Sequence, residues 1–109
     1  MPAKPTIIVT VREAETRHAL EQSLTRRFGA DYEVRCLGSP DQALDTLAEL
    51  ERVGTAVPIV IAALWLPGMD GLEFLSRVRD LRPEAQRLLL FDFYDPAVDA
   101  AVIEGMTFG

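Results

Sequence analysis

One cysteine, one histidine and one tryptophan in 109 residues leave the chain with little of the equipment that marks many functional sites. A lone Cys36 excludes an internal disulfide and any metal site built from several cysteines. His18 has no second ligand at i+4 or nearby and lies among Thr16, Arg17 and Glu21, the composition of a solvated helix face rather than of a metal site. Basic residues are also scarce. Lys and Arg number 11 against 17 Asp and Glu, and the resulting net charge of −6 argues against nucleic acid or an anionic membrane as partner. The longest apolar run, Ala56 to Leu66, is broken by Pro58 and is too short to span a bilayer. The start, MPAKPT, has no apolar signal core, so cytoplasm is the expected compartment. Repeats, linkers and low-complexity segments are missing too.

What is present is the balance of a single globular domain over residues 1–109, with 49% hydrophobic and 26% charged residues. Ile59 to Ala63 is an apolar, β-branched run followed by turn residues, the signature of a central parallel strand. Thr6 to Val11 reads as a first strand buried on both faces. Glu13 to Phe28 reads as a helix with Leu20, Leu24 and Phe28 on one stripe and Gly29 as its cap. Tyr32 to Leu37 alternates polar and apolar residues, which suits an edge strand.

Ser39-Pro40-Asp41-Gln42 has the spacing of a helix start, with Ala43, Leu44, Leu47, Ala48 and Leu50 as the buried face and an end near Gly54. Asp70 and Glu73 repeat the capping spacing. Leu72, Phe74, Leu75, Val78 and Leu81 then carry a third helix to Arg82-Pro83. Arg87 to Phe93 reads as a fourth strand, and Asp95-Pro96 starts a last helix reaching about Glu104. The order βαβαβαβα predicts an α/β fold: an open parallel sheet with helices on both faces.

LPGMDG (Leu66 to Gly71) followed by Leu72-Glu73-Phe74-Leu75 resembles the receiver domain of bacterial response regulators, after its third strand. The likeness covers the whole chain. It implies a flavodoxin/CheY-like sheet of order 2-1-3-4. Receivers have five βα units, whereas this sequence gives four; the fifth, with an essential lysine at the end of its strand, is missing or lies beyond Gly109.

The resemblance also implies a site, and this sequence departs from it position by position. The aspartate that accepts a phosphoryl group stands four residues before the proline, where this chain has Ala63. The two acids that hold Mg²⁺ at the end of the first strand align with Val11 and Arg12. The switch Ser/Thr aligns with Phe91, or with Asp92 if the register slips by one. Mg²⁺ binds hard oxygen ligands, and an isopropyl group, a methyl group and a guanidinium offer none. Phosphoryl transfer needs a nucleophile, and alanine has none. The expectation is a pseudo-receiver that is not an enzyme and takes no metal or cofactor. Its acidic pocket is rebuilt as packing, in which burying the Phe91 ring would contribute ~1.5–3 kcal/mol. Arg12 then turns outward or pairs with Glu13, Asp70 or Asp92.

The function expected on this resemblance is a phosphorylation-independent module of two-component signalling that regulates an attached or separate output protein. Trp65, with Phe93 and Tyr94 near it, marks either an interaction surface or a local aromatic core. Arg26-Arg27-Phe28-Gly29, Tyr32-Glu33-Val34 and Leu64 to Gly68 also resemble receivers found ahead of thioredoxin-reductase-like flavoproteins. That makes a flavoprotein one implied output neighbour, although no redox residue here supports it. A homodimer through strand four or the last helix is expected from an uncovered strand edge.

Two other functions compete. A conventional phosphoacceptor would have to use Asp70 or Asp92. A flavodoxin-like ligand binder would need a phosphate loop after strand one, which Thr10-Val11-Arg12-Glu13-Ala14 does not resemble. Glu13 as a lone metal ligand is outweighed by its place in a helix's first turn, and Asp70 by its capping position. Cys36 reads as a half-buried thiol. Arg26-Arg27 and the Arg77, Arg79, Arg82 set read as solvated helix faces.

Overall fold

Strand and helix alternate strictly along the chain: β1 (Thr6–Thr10), α1 (Ala14–Phe28), β2 (Glu33–Leu37), α2 (Pro40–Arg52), β3 (Ile59–Ala63), α3 (Gly71–Leu81) and β4 (Gln86–Leu90). The computed structural model describes residues 4–90. The expectations for Phe91, Asp92, Phe93, Tyr94 and the last helix lie outside them. All strand pairs are parallel and the order is β2-β1-β3-β4, as the resemblance implies.

The period-two alternation of strands sorts the apolar residues into two layers. Ile8 on β1 and Val60 and Ala62 on β3 face α2 and α3, where they meet Ala43, Leu47, Leu50, Phe74, Leu75 and Val78. Ile7, Val9 and Val11, with Ile59, Ile61 and Ala63, face the opposite side, against Leu20 and Leu24 of α1. β1 is therefore buried at every position, as a strand between two layers must be. β2 alternates exposed and half-buried residues and, among the described strands, pairs with β1 alone and takes the edge.

Local signals set the helix starts. The Ser39 hydroxyl accepts the Gln42 N–H at 3.3 Å, and Pro40 stands in the first turn of α2. The Asp70 carboxylate accepts the Glu73 N–H at 2.8 Å to open α3. Glu13 sits at the N-cap position of α1 without a side-chain cap bond.

Several side chains differ from the sequence reading. Ala48 is exposed on α2, and Leu72 and Leu81 are exposed on α3, because each lies off the stripe that meets the sheet. Phe28 is only partly covered and stands edge-on to Tyr32, ring centres 6.3 Å apart. Gly29 closes α1 in a right-handed conformation, φ −63°, and its N–H donates to the Thr25 carbonyl, so the cap is not of the left-handed kind.

The largest correction is Arg82, which is buried rather than solvated. It follows α3 directly and turns under the sheet at the amino-terminal end of the strands. Its Nη2 donates to the Thr55 carbonyl at 2.9 Å, and its Nε lies 2.7 Å from Glu84 Oε1 and 3.0 Å from Glu51 Oε2. These acceptors meet Nε and Nη2 and so offset much of the cost of burying the guanidinium, while Nη1 is buried with no hydrogen-bond partner.

Candidate functional site

Open parallel sheets place their sites at the carboxyl ends of the strands, where β1 and β3 lie side by side. Thr10 pairs with Ala62, so Val11 and Ala63 are the next positions along the two strands. Both join the α1-side apolar cluster, Val11 fully buried and Ala63 half-buried, with Leu90 of β4 packed against the same cluster. The sequence-predicted positions for metal acid and phosphoacceptor are therefore brought together, as an apolar contact.

Arg12 turns away from that contact. Its guanidinium is solvent-exposed and its Nε lies 3.6 Å from Glu13 Oε1, the first of the pairings expected for it. Below it a second arginine holds the loop. Arg17, one turn into α1, donates through Nη1 to the carbonyls of Val11 at 3.0 Å and Arg12 at 3.1 Å. Gly38, at the end of β2, leaves it room, since a Cβ there would stand 2.9 Å from the same nitrogen. A cationic side chain thus caps the end of β1 where the resemblance would place two carboxylates. The Arg17 contact had no signal in the sequence, because the spacing to a backbone carbonyl depends on how α1 lies across the sheet.

Thr10 ends β1 on the other face, buried, with no hydrogen-bond partner for its hydroxyl. Among the described residues no group of three His, Cys, Asp or Glu is placed to hold a metal ion.

The β3–α3 loop closes tightly over the end of β3. Gly71 N–H donates to the Leu64 carbonyl at 2.7 Å, and Leu64 N–H to the Leu90 carbonyl at 3.1 Å. Gly71 has to be glycine: a Cβ there would collide with the Ala63 carbonyl oxygen and with Leu89. Gly68 takes a positive φ of 86° at the turn. Leu66 and Met69 reach back to the α2–α3 core, while Trp65 points out and is 65% exposed. The grouping of Trp65 with Phe93 and Tyr94, as interaction surface or as local core, lies outside the described residues. Asp70 is engaged as the cap of α3, as expected.

Away from this end, Cys36 is half-buried on β2. Burial first, and then Glu21, push its thiol up to about 11, against the opposing pull of Arg17. His18 is exposed. An apolar groove of about 350 Å³ runs between α1 and the β3–β4 side of the sheet, lined by Ile7, Leu24, Phe28, Tyr32, Ile61 and Leu88 among others. None of the described helices is long and apolar enough to cross a membrane.

Comparison with known proteins places this geometry. No family model matches the sequence. The transcriptional regulatory protein AruR of Pseudomonas aeruginosa is 31% identical over 90 residues, which are 83% of this chain and 35% of AruR. The chain thus spans about a third of the length of the curated relative it matches. Among solved structures, the signal receiver domain of an HD domain-containing protein from Pseudomonas fluorescens is 29% identical, with a TM-score of 0.72 over 93% of this chain and 74% of that one. A CheY-like receiver domain protein from Methanospirillum hungatei shares 15% identity at a TM-score of 0.67, over 94% and 75% of the two chains. The described residues have the receiver-domain fold of response regulators.

Proposed function

We propose that this chain is a receiver-type signalling module that works without aspartyl phosphorylation and without enzymatic activity, by contact with an attached or separate output protein. The observation that carries the reading is the apolar contact of Val11 and Ala63 at the carboxyl end of adjacent strands. A phosphoryl group needs a nucleophile and a cation to neutralise its charge. Here a methyl group stands at the nucleophile's place. Among the described residues, the charge bonded at the end of β1 is that of Arg17, already engaged by two carbonyls, and Arg12 beyond it is paired with Glu13. Mg²⁺ has no carboxylate to bind at these positions.

An attached output is consistent with AruR, a transcriptional regulatory protein of which this chain matches about a third. A flavoprotein as output rests on the sequence resemblance alone.

The test uses Mg²⁺ and beryllofluoride, which mimics an aspartyl phosphate, read by backbone amide shifts. The expected outcome is no saturable shift at Val11, Arg12, Ala63 or Phe91. Saturable shifts there would mean that an acidic pocket exists and that the module is phosphorylated in the ordinary way.

A further inference from the structure

The β3–α3 loop is held along its whole length yet turns its one large ring outward. The Gly71–Leu64 and Leu64–Leu90 hydrogen bonds fix its base, Leu66 and Met69 anchor its middle, and Asp70 ties its end to α3. Trp65 follows Leu64 and Leu72 follows Gly71, so the two exposed side chains flank one closure point. Leu72 is 55% exposed. A side chain presented by a pre-ordered loop loses little conformational freedom on binding, and tryptophan in such a position is a common anchor of interfaces.

Charge selects the partner. Asp70 and Glu73 stand beside Leu72 on the first turn of α3, both exposed. Asp70 spends one oxygen on the Glu73 N–H, and Glu73 shares its carboxylate with Arg77 in an exposed pair at 3.3 Å that an incoming cation can exchange. An indole face attracts a cation, and neighbouring carboxylates supply hydrogen-bond acceptors and counter-charge. We infer that Trp65 and Leu72, framed by Asp70 and Glu73, form a docking surface for a basic, apolar segment of a partner protein. An arginine or lysine of that segment stacks on the indole, and an apolar side chain covers Leu72. This inference names the partner chemistry of the proposed interaction module and rests on that reading.

Trp65 is the only tryptophan of the chain and reports directly on its own surroundings. The probes are a synthetic amphipathic helix of leucine and arginine and its counterpart with glutamate in place of arginine. The arginine helix is expected to shift Trp65 emission to the blue, saturably and less so at high salt, while the glutamate helix leaves it unmoved. D70N/E73Q is expected to weaken binding about tenfold, and asparagine still caps α3, so the loop keeps its base. E33Q/D45N, which removes exposed acids from β2 and α2, is expected to leave binding unchanged. W65A, followed by amide shifts because it lacks the fluorophore, is expected to abolish binding at Leu72. Equal weakening by E33Q/D45N would assign the binding to overall acidity and overturn the surface, as would an unshifted Trp65. Either failure leaves the beryllofluoride result standing, so the docking surface and the phosphorylation-independent reading fall separately.

Discussion

Single residues at the end of β1 carry the function proposed for this sheet. Thr10 carries a buried hydroxyl without a partner, one residue before the apolar Val11–Ala63 contact. An unmet buried hydroxyl costs about 1–3 kcal/mol, part of which a valine of similar shape restores. Thr10→Val is therefore expected to stabilise the fold by about 1 kcal/mol in urea denaturation; a loss of stability would show that the hydroxyl is satisfied in solution.

Cys36 gives a second test at this scale. Its folded pKa, pushed up to about 11, lies above the ordinary value of 9.0. The thiol stays protonated in the fold at pH values where the unfolded chain already ionises. Its contribution to stability is full below pH 9.0 and is lost as pH rises toward about 11. Alkylation by iodoacetamide at neutral pH should accordingly be far slower than for a free thiol. Rapid labelling of the folded chain would contradict the burial.

At the scale of elements, Arg82 fastens the α3–β4 turn to the α2–β3 turn. It bonds the Thr55 carbonyl from beneath the sheet and meets carboxylates from Glu51 and Glu84. Replacing it by methionine keeps the stem but leaves the Thr55 carbonyl unmet, and is expected to cost about 2 kcal/mol. Glu84→Gln should change little, because that carboxylate is exposed and its attraction is screened by water and salt. The hydrogen bond from Arg82 holds the Glu84 carboxyl below its usual range, so this small contribution is present at neutral pH and fades as pH falls through the lowered pKa. Thermal denaturation of the two variants separates the claims. An unchanged midpoint for Arg82→Met would refute the fastening role.

At the scale of the whole sheet, its two faces are unequally covered by the described residues. Across α2 and α3 lie fully buried Leu47, Phe74 and Val78, whereas α1 buries none of its residues completely. Within the described residues β4 has a paired neighbour on one side alone, and Leu88 is 40% exposed on it. β2, at the other edge, is guarded by Glu33 and Arg35, as edge strands usually are. We propose a homodimer through β4 or the last helix, supported by the exposed Leu88 on an edge that has no second strand among the described residues. Sedimentation at rising concentration is expected to show a monomer–dimer equilibrium; a monomer throughout would remove the proposal.

The sequence by itself determined the order of elements, both side-chain caps and the two layers. These follow from local chemistry: Ser39 and Asp70 accept N–H groups a few residues away, and alternation along β1 and β3 fixes which face each side chain meets. The proposed assignment of Val11, Arg12 and Ala63 to the positions where receivers carry their chemistry also comes from the sequence, since a motif at fixed spacing counts residues along one chain. Tertiary structure alone decided the rest. Arg82 lies beneath the sheet, Arg17 bonds the end of β1, Leu72 and Ala48 face solvent and Trp65 projects from a pinned loop. Each outcome depends on how a helix is rotated against the sheet or how a loop returns to it. Those placements are set by contacts between residues far apart in sequence, which no local pattern encodes.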